Sequence, residues 1–172
     1  ELEACQSCHT SLTDETDLPD IRMFGSTVDY DGDGNSSEGI AFEIETLKEM
    51  LYDAIQAYAS ENPDTLSIVY DSHSHPYWFI DIDGDGVLDE GVDNADGNDY
   101  STWTARLLKA AYNYQFALKD PGGYAHNGKY VIELLYDSIE DLNSVLSPAG
   151  QIDLTDAHRI DAGHFAGSEE AF

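Results

Sequence analysis

Two short segments of this chain, Asp29-Tyr-Asp-Gly-Asp-Gly-Asn35 and Asp81-Ile-Asp-Gly-Asp-Gly-Val87, place a carboxylate at every second residue and interleave glycine. Neither a helix nor a strand suits such a run, because aspartate and glycine are poor formers of both. Carboxylates alternating along a flexible loop, with a glycine for the sharp turn, instead suit calcium, which takes six to eight oxygen ligands. The wider charge balance points the same way. The chain has 35 acidic against 7 basic residues, a formal net charge of -28, so a compact fold repels itself unless something cationic joins it. Its acids cluster in Asp/Gly loops, whereas adaptation to salt spreads them evenly. Disorder is disfavoured by a hydrophobic content of 41% and an aromatic content of 11%. The few basic residues form no stripe, which argues against nucleic acid or an anionic membrane surface as partner.

In the first segment, Asp29, Asp31, Asp33, Gly34 and Asn35 fit the first, third, fifth, sixth and seventh places of a calcium loop. The twelfth place is Ile40 rather than the bidentate Glu, so Glu38 or Glu43 is expected to close the shell, or the site has another geometry. This is not a standard EF-hand, and no sensor role follows. In the second segment Asp81, Asp83, Asp85, Gly86 and Val87 repeat the pattern, with Asp89, Glu90 and Asp93 available to complete it. Asp93, Asp96, Asn98 and Asp99 form a third acidic stretch, for which a solvated turn is the better reading. Magnesium, with its strict octahedral demand, matches these loops poorly.

Between the acidic segments the pattern is helical. Ile40, Ile44, Leu47, Leu51, Ile55 and Tyr58 recur at three- and four-residue spacing, predicting an amphipathic helix over about 39–60 that stops at Asn62-Pro63. Met50 falls at the border of its apolar face. Residues 66–70 suit a short strand. Ser101 is the expected N-cap of a second helix to about Lys119, with Trp103, Leu107, Leu108, Ala111 and Leu118 on or near its inner side. Pro121-Gly-Gly123 breaks it. A third helix from about Asn127 to Leu146 buries Val131, Leu134, Leu135, Ile139, Leu142 and Leu146 before Pro148 and Gly150. Residues 1–38 read as irregular. The fold class expected is mainly α: three principal amphipathic helices, long calcium-binding loops and little β structure. No run approaches the roughly 18 apolar residues of a membrane span, and Glu1-Leu-Glu3 lacks the features of a signal peptide, so a mature, soluble chain is expected.

Cys5-Gln6-Ser7-Cys8-His9 fits C-x-x-C-H, in which two thiols form thioethers to the haem vinyl groups and the adjacent imidazole binds iron. Two residues between the cysteines let both sulfurs reach one porphyrin edge. The competing readings are a redox pair, a local disulfide and half of a zinc site. No thioredoxin-like βαβ pattern surrounds the motif, and two cysteines alone do not specify zinc. Covalent haem c, with Cys5, Cys8 and His9 holding it, is the preferred reading for an extracytoplasmic chain. The sixth iron position is open to His73, His75, His126, His158, His164 and Met23. His126 stands just before the third helix, where a short loop can aim its ring. The domain assignment expected is then 1–150 as a calcium-binding c-type cytochrome domain, with 151–172 as a C-terminal tail available as an inter-subunit segment.

Cys5 to His9, Asp20-Ile-Arg through Asp29-Tyr-Asp-Gly-Asp-Gly to Glu38-Gly-Ile40, and Trp103-Thr-Ala-Arg-Leu-Leu-Lys-Ala-Ala-Tyr-Asn-Tyr114 are similar to a region of large, secreted multihaem c-type cytochromes. The resemblance continues through Lys119-Asp-Pro-Gly-Gly-Tyr-Ala-His-Asn-Gly-Lys-Tyr130 and Leu134-Leu-Tyr-Asp-Ser-Ile-Glu-Asp-Leu142. It implies that His126, in a His-Asn pair opening a helix, supplies the distal haem ligand, and that His164 lies in another ligand-bearing segment. Those relatives carry many C-x-x-C-H motifs; this chain carries one. The function expected is extracytoplasmic electron transfer, secreted or at the cell surface, with haem c and calcium as cofactors. A redox protein or an extracellular electron acceptor is the partner. Spare histidines in such a chain extend this expectation to a calcium-dependent homopolymer or filament. The alternative is a calcium-stabilised extracellular structural subunit built on the cytochrome scaffold. No enzyme is expected, since no Ser/His/Asp arrangement or phosphate-binding glycine loop stands out.

Overall fold

The computed structural model describes residues 2–7, 9–22 and 26–159, with the backbone alone at 126. Among these residues the chain is mainly helical: α1 (Leu2–Gln6), α2 (Ile40–Glu61), α3 (Ala105–Lys119) and α4 (Gly123–Asn143), with one 3-10 helix (Glu15–Asp20) and two strands, β1 (Ile68–Tyr70) and β2 (Trp78–Ile80). It divides into two compact units. One comprises residues 1–49, 117–137 and 153–172, and the other 50–116 and 138–152, so α2, α3 and α4 each contribute to both.

In the first unit, the stretch expected to be irregular holds two short helices. The 3-10 helix is set locally: Asp14 Oδ1 accepts from the Thr16 N–H at 2.7 Å, and Asp17 Oδ2 accepts from the N–H groups of Asp14 and Thr13. These reciprocal bonds satisfy donors that a helix start otherwise leaves open. The segment then lies directly on the start of α2. A Cβ at Gly39 would sit 1.9 Å from the Pro19 carbonyl oxygen, so only glycine permits the approach. The Ile40 N–H donates to the Ile21 oxygen at 3.1 Å. Ile40, Ile44 and Leu47 of α2 and Val131, Ile132 and Leu135 of α4 are buried. Residues 153–159 are held to this unit: the His158 N–H donates to the Tyr30 carbonyl at 3.2 Å, and Arg159 pairs with Asp137.

In the second unit, β1 and β2 form an antiparallel hairpin with Ile68 opposite Ile80 and Tyr70 opposite Trp78. Tyr70 packs edge-on against Trp78 and Tyr114, with ring centroids 4.8 and 5.4 Å apart. Leu51, Ile55, Val69, Phe79, Leu107 and Ile139 are buried. The start of α3 differs from expectation. Thr104, not Ser101, caps it, its Oγ1 accepting from the Leu107 N–H at 3.1 Å. Trp103 Nε1 donates to the Tyr100 oxygen and the Tyr100 hydroxyl to the Leu66 oxygen, which pins 100–103 outside the helix. Leu108, expected to face inward, is 52% exposed.

α4 begins upstream of the expected Asn127, which itself departs from helical geometry (φ -157°, ψ 42°). It ends at Asn143, whose side chain exchanges hydrogen bonds with the Ile152 backbone at 2.8 and 2.9 Å. Among the described residues no helix is long and apolar enough to cross a membrane.

Candidate functional site

The cysteine-histidine motif begins in the last turn of α1, and past the helix end the His9 N–H donates to the Cys5 carbonyl at 2.9 Å. That four-residue bond puts the two side chains on one face, since helical neighbours lie three and four residues apart. Both line a cavity of about 580 Å³, whose wall also holds Leu18, Ile21, Ile40 and Tyr124. The volume lies within the usual 300–1,000 Å³ range of cofactor sites, and a largely apolar wall with few polar groups is typical of them. Ala125 lines the same cavity, so the backbone preceding residue 126 borders it. Arg22 is also in the wall; its guanidinium pairs with Glu43 and donates to the carbonyls of Glu38 and Val28.

The first acidic loop is wound around its own backbone. Asp29 accepts from the N–H groups of Gly32 and Gly34 at 2.6 and 2.7 Å, and Asp33 from that of Asn35 at 2.7 Å. Gly32 and Gly34 have φ of 82° and 93°, which favours glycine. Two carboxylate groupings result, with ligand oxygens within 4.8 Å of one another: Asp29, Asp31 and Glu43, and Asp31, Asp33 and Glu38. Both glutamates considered as closing ligands are therefore present.

Glu43 is fully buried at the first turn of α2, and its Oε2 accepts from the N–H groups of Tyr30 and Asp31 at 2.7 and 3.2 Å. Asp31 Oδ2 and Glu38 Oε1 are buried and have no hydrogen-bond partner among the described residues. Burial, reinforced by neighbouring acids, pushes the Asp31 carboxyl up to about 6 and that of Glu38 up to about 7. Crowded, partly unpaired carboxylates favour either a proton or a metal cation.

The second loop repeats the winding. Asp81 accepts from Gly84 and Gly86 at 2.8 and 2.9 Å, Asp83 from Asp85 at 3.3 Å, and Asp85 from Val87 at 2.8 Å. Asp81, Asp83 and Asp85 gather as a group. Asp93 is buried and accepts from the N–H groups of Ile82 and Asp89, tying the loop's two ends. Asp89 and Glu90 join none of the carboxylate groups, and Val87 is 61% exposed. Asn35 Oδ1 accepts from the Ser37 hydroxyl at 2.8 Å.

Of the other iron-ligand candidates, His73, His75 and His158 are exposed. His73 lies 3.6 Å from Asp71, and the His158 ring nitrogen lies 2.8 Å from the Asp156 oxygen. Cys8, Met23, His164 and the side chain of His126 lie outside the described residues. The sequence reading missed Arg22, Leu18, Ile21 and Tyr124 as cavity residues. For Arg22 there was a signal, since it is the sole basic residue before Lys48 in a strongly acidic stretch.

Part of the chain is similar to polyhaem cytochromes of Geobacter sulfurreducens. Over 76 residues, 40% of this chain, it is 34% identical to the C-type polyheme cytochrome OmcB of strains DL-1 / KN400 and PCA. It is 33% identical to the C-type polyheme cytochrome OmcC of strain PCA over a stretch of the same length. Each match spans 10% of the relative's own length. No family model and no solved structure matches.

Proposed function

We propose that this chain is an extracytoplasmic electron-transfer module carrying one haem c, with calcium in its first two acidic loops. The cavity carries the reading. Cys5 and His9 face one apolar space of cofactor size, and the partial sequence match is to c-type polyheme cytochromes. Cys5 and Cys8 would hold the haem by thioethers, and His9 and, by preference, His126 would supply its iron ligands. The bound haem supplies a one-electron couple at iron. The chain's own residues attach it, exclude water with Leu18, Ile21, Ile40 and Tyr124, and leave no substrate chemistry to be done. Its partner is a redox protein or an extracellular electron acceptor. Purified protein should show a haem spectrum that changes with reductant, and the colour should stay with the denatured polypeptide after acid-solvent extraction. Release of all colour would refute covalent attachment, and a colourless, calcium-binding protein would favour a structural subunit.

Calcium is supported in the first loop by more than acidity. Two buried carboxylate oxygens, on Asp31 and Glu38, lack partners among the described residues, and a cation with many oxygen ligands would satisfy both. The second loop has the same backbone winding with a more exposed shell, so it binds the weaker ion of the two. Assembly into a calcium-dependent homopolymer completes the proposal, because one haem alone cannot conduct far.

A further inference from the structure

Arg22 brings a permanent charge to the wall of the cavity, and its nitrogens are not used alike. Nη1 donates to the Glu38 carbonyl and the Glu43 carboxylate, and Nη2 to the Val28 carbonyl. The guanidinium carbon lies 5.9 Å from the centre of the Tyr30 ring. Nε, by contrast, is buried without a hydrogen-bond partner among the described residues, on a side chain only 14% exposed. A buried charged donor without an acceptor is costly, and while three of the five guanidinium N–H groups are bonded, Nε is the buried one that is not.

We infer that Arg22 is a positioning residue for the haem, its Nε donating to a propionate carboxylate while Nη1 and Nη2 hold the first acidic loop. The inference rests on the haem reading above. Apart from its iron and the four ring nitrogens that bind it, a haem is hydrocarbon except for two propionates, so an anionic oxygen is what it can offer this donor. The charge balance supports the match: in a chain of net charge -28, propionates need a nearby cation, and no other basic residue precedes Lys48. A guanidinium suits the task because its planar fork donates in several fixed directions at once, which a lysine ammonium does not. One side chain thereby joins the haem edge to the residue, Glu43, that gathers the loop's carboxylates.

The test compares holoprotein of wild type, Glu43→Gln, Arg22→Gln and the double variant Arg22→Gln/Glu43→Gln. The double variant avoids a buried unpaired Glu43, so it keeps the question open if Arg22→Gln alone fails to fold. With Arg22 gone, an uncompensated propionate beside the iron favours the ferric form. The double variant should therefore show a lower midpoint potential than wild type and Glu43→Gln, with haem still attached. Independently, the Arg22 Nε–H in ferrous wild type should exchange slowly with solvent in nitrogen-15 spectra and stay unmoved by added acetate. Equal potentials in the double variant and Glu43→Gln would overturn the inference, leaving Arg22 as a partner of Glu43 only. So would fast exchange of Nε–H, or a response to acetate, which would identify a solvent anion. Absence of haem from the wild type would instead sink the functional reading itself.

Discussion

Glu43 shows how much one side chain can be asked to do. Its carboxylate meets Arg22, accepts from two backbone N–H groups and contributes to a group of acids while fully buried. Removing one partner of a buried ion pair typically costs about 3–5 kcal/mol, because the remaining charge is stranded. Glu43→Ala should lose about that much in urea denaturation with calcium present, and Glu43→Gln, whose amide oxygen still accepts, should lose less. Equal, small losses would show that the pair is dispensable.

The neighbouring carboxyls make a pH prediction. In the metal-free fold Asp31 is pushed up to about 6 and Glu38 to about 7, both by burial first and then by nearby acids, against ordinary values of 3.8 and 4.5. The folded state therefore holds more protons than the unfolded one. The stabilisation this gives is full below the unfolded values and is lost as pH rises through about 6 to 7. Under chelator, the unfolding temperature of wild type should fall further between pH 4.5 and 7.5 than that of Asp31→Asn/Glu38→Gln. Parallel curves would contradict it.

At the scale of elements, the two acidic loops separate local from tertiary effects. Their backbone windings match bond for bond, and the glycines at equivalent places, Gly32 and Gly84, have φ of 82° and 77°. Alanine in a left-handed conformation costs roughly 1–2 kcal/mol, so both Gly→Ala changes should destabilise. Gly32→Ala should cost more. Its Cβ would lie 2.7 Å from the Ala157 backbone nitrogen, whereas the nearest atom to a Cβ at Gly84 is Ser67 Oγ at 3.7 Å. Thermal unfolding of the two variants checks this, and equal losses would mean that residues 156–157 yield easily.

The helices divide in the same way. The apolar period of α2 was readable in Ile40, Ile44, Leu47, Leu51, Ile55 and Tyr58, all buried. The start of α3 was not, because the bond from Trp103 to the Tyr100 oxygen and the reach of Tyr100 to Leu66 outcompete a plausible cap at Ser101.

For the whole molecule, charge is the dominant fact. A net of -28 on 172 residues opposes both folding and self-association until cations bind. A ligand that binds the folded state alone stabilises it by mass action. Chelation should therefore lower the unfolding temperature, and calcium, at matched ionic strength, should restore it. In the same samples, light scattering and electron microscopy should show large assemblies with calcium and monomers with chelator. Monomers in both would eliminate the proposed polymer, and an unchanged unfolding temperature after verified metal removal would eliminate structural calcium.

By itself the sequence determined what depends on near neighbours along the chain. The spacing of Cys5, Cys8 and His9, the Asp/Gly alternation of both loops and the apolar periods of the long helices are all written within a few turns of backbone. Tertiary structure decided whatever required distant segments to meet. Glu43 reaches back to Tyr30 and Asp31 from α2, and Gly39 lets the Pro19-Asp20 segment lie against the helix start. Arg22 stands in the wall that Cys5, Ile40 and Tyr124 share, although no motif marks it. Asp93, expected among the ligands of the second loop, accepts from the N–H groups of Ile82 and Asp89. The reason is physical: a carboxylate can hold a metal, a guanidinium or a backbone amide with equal chemistry, and only the fold settles which of them lies within reach.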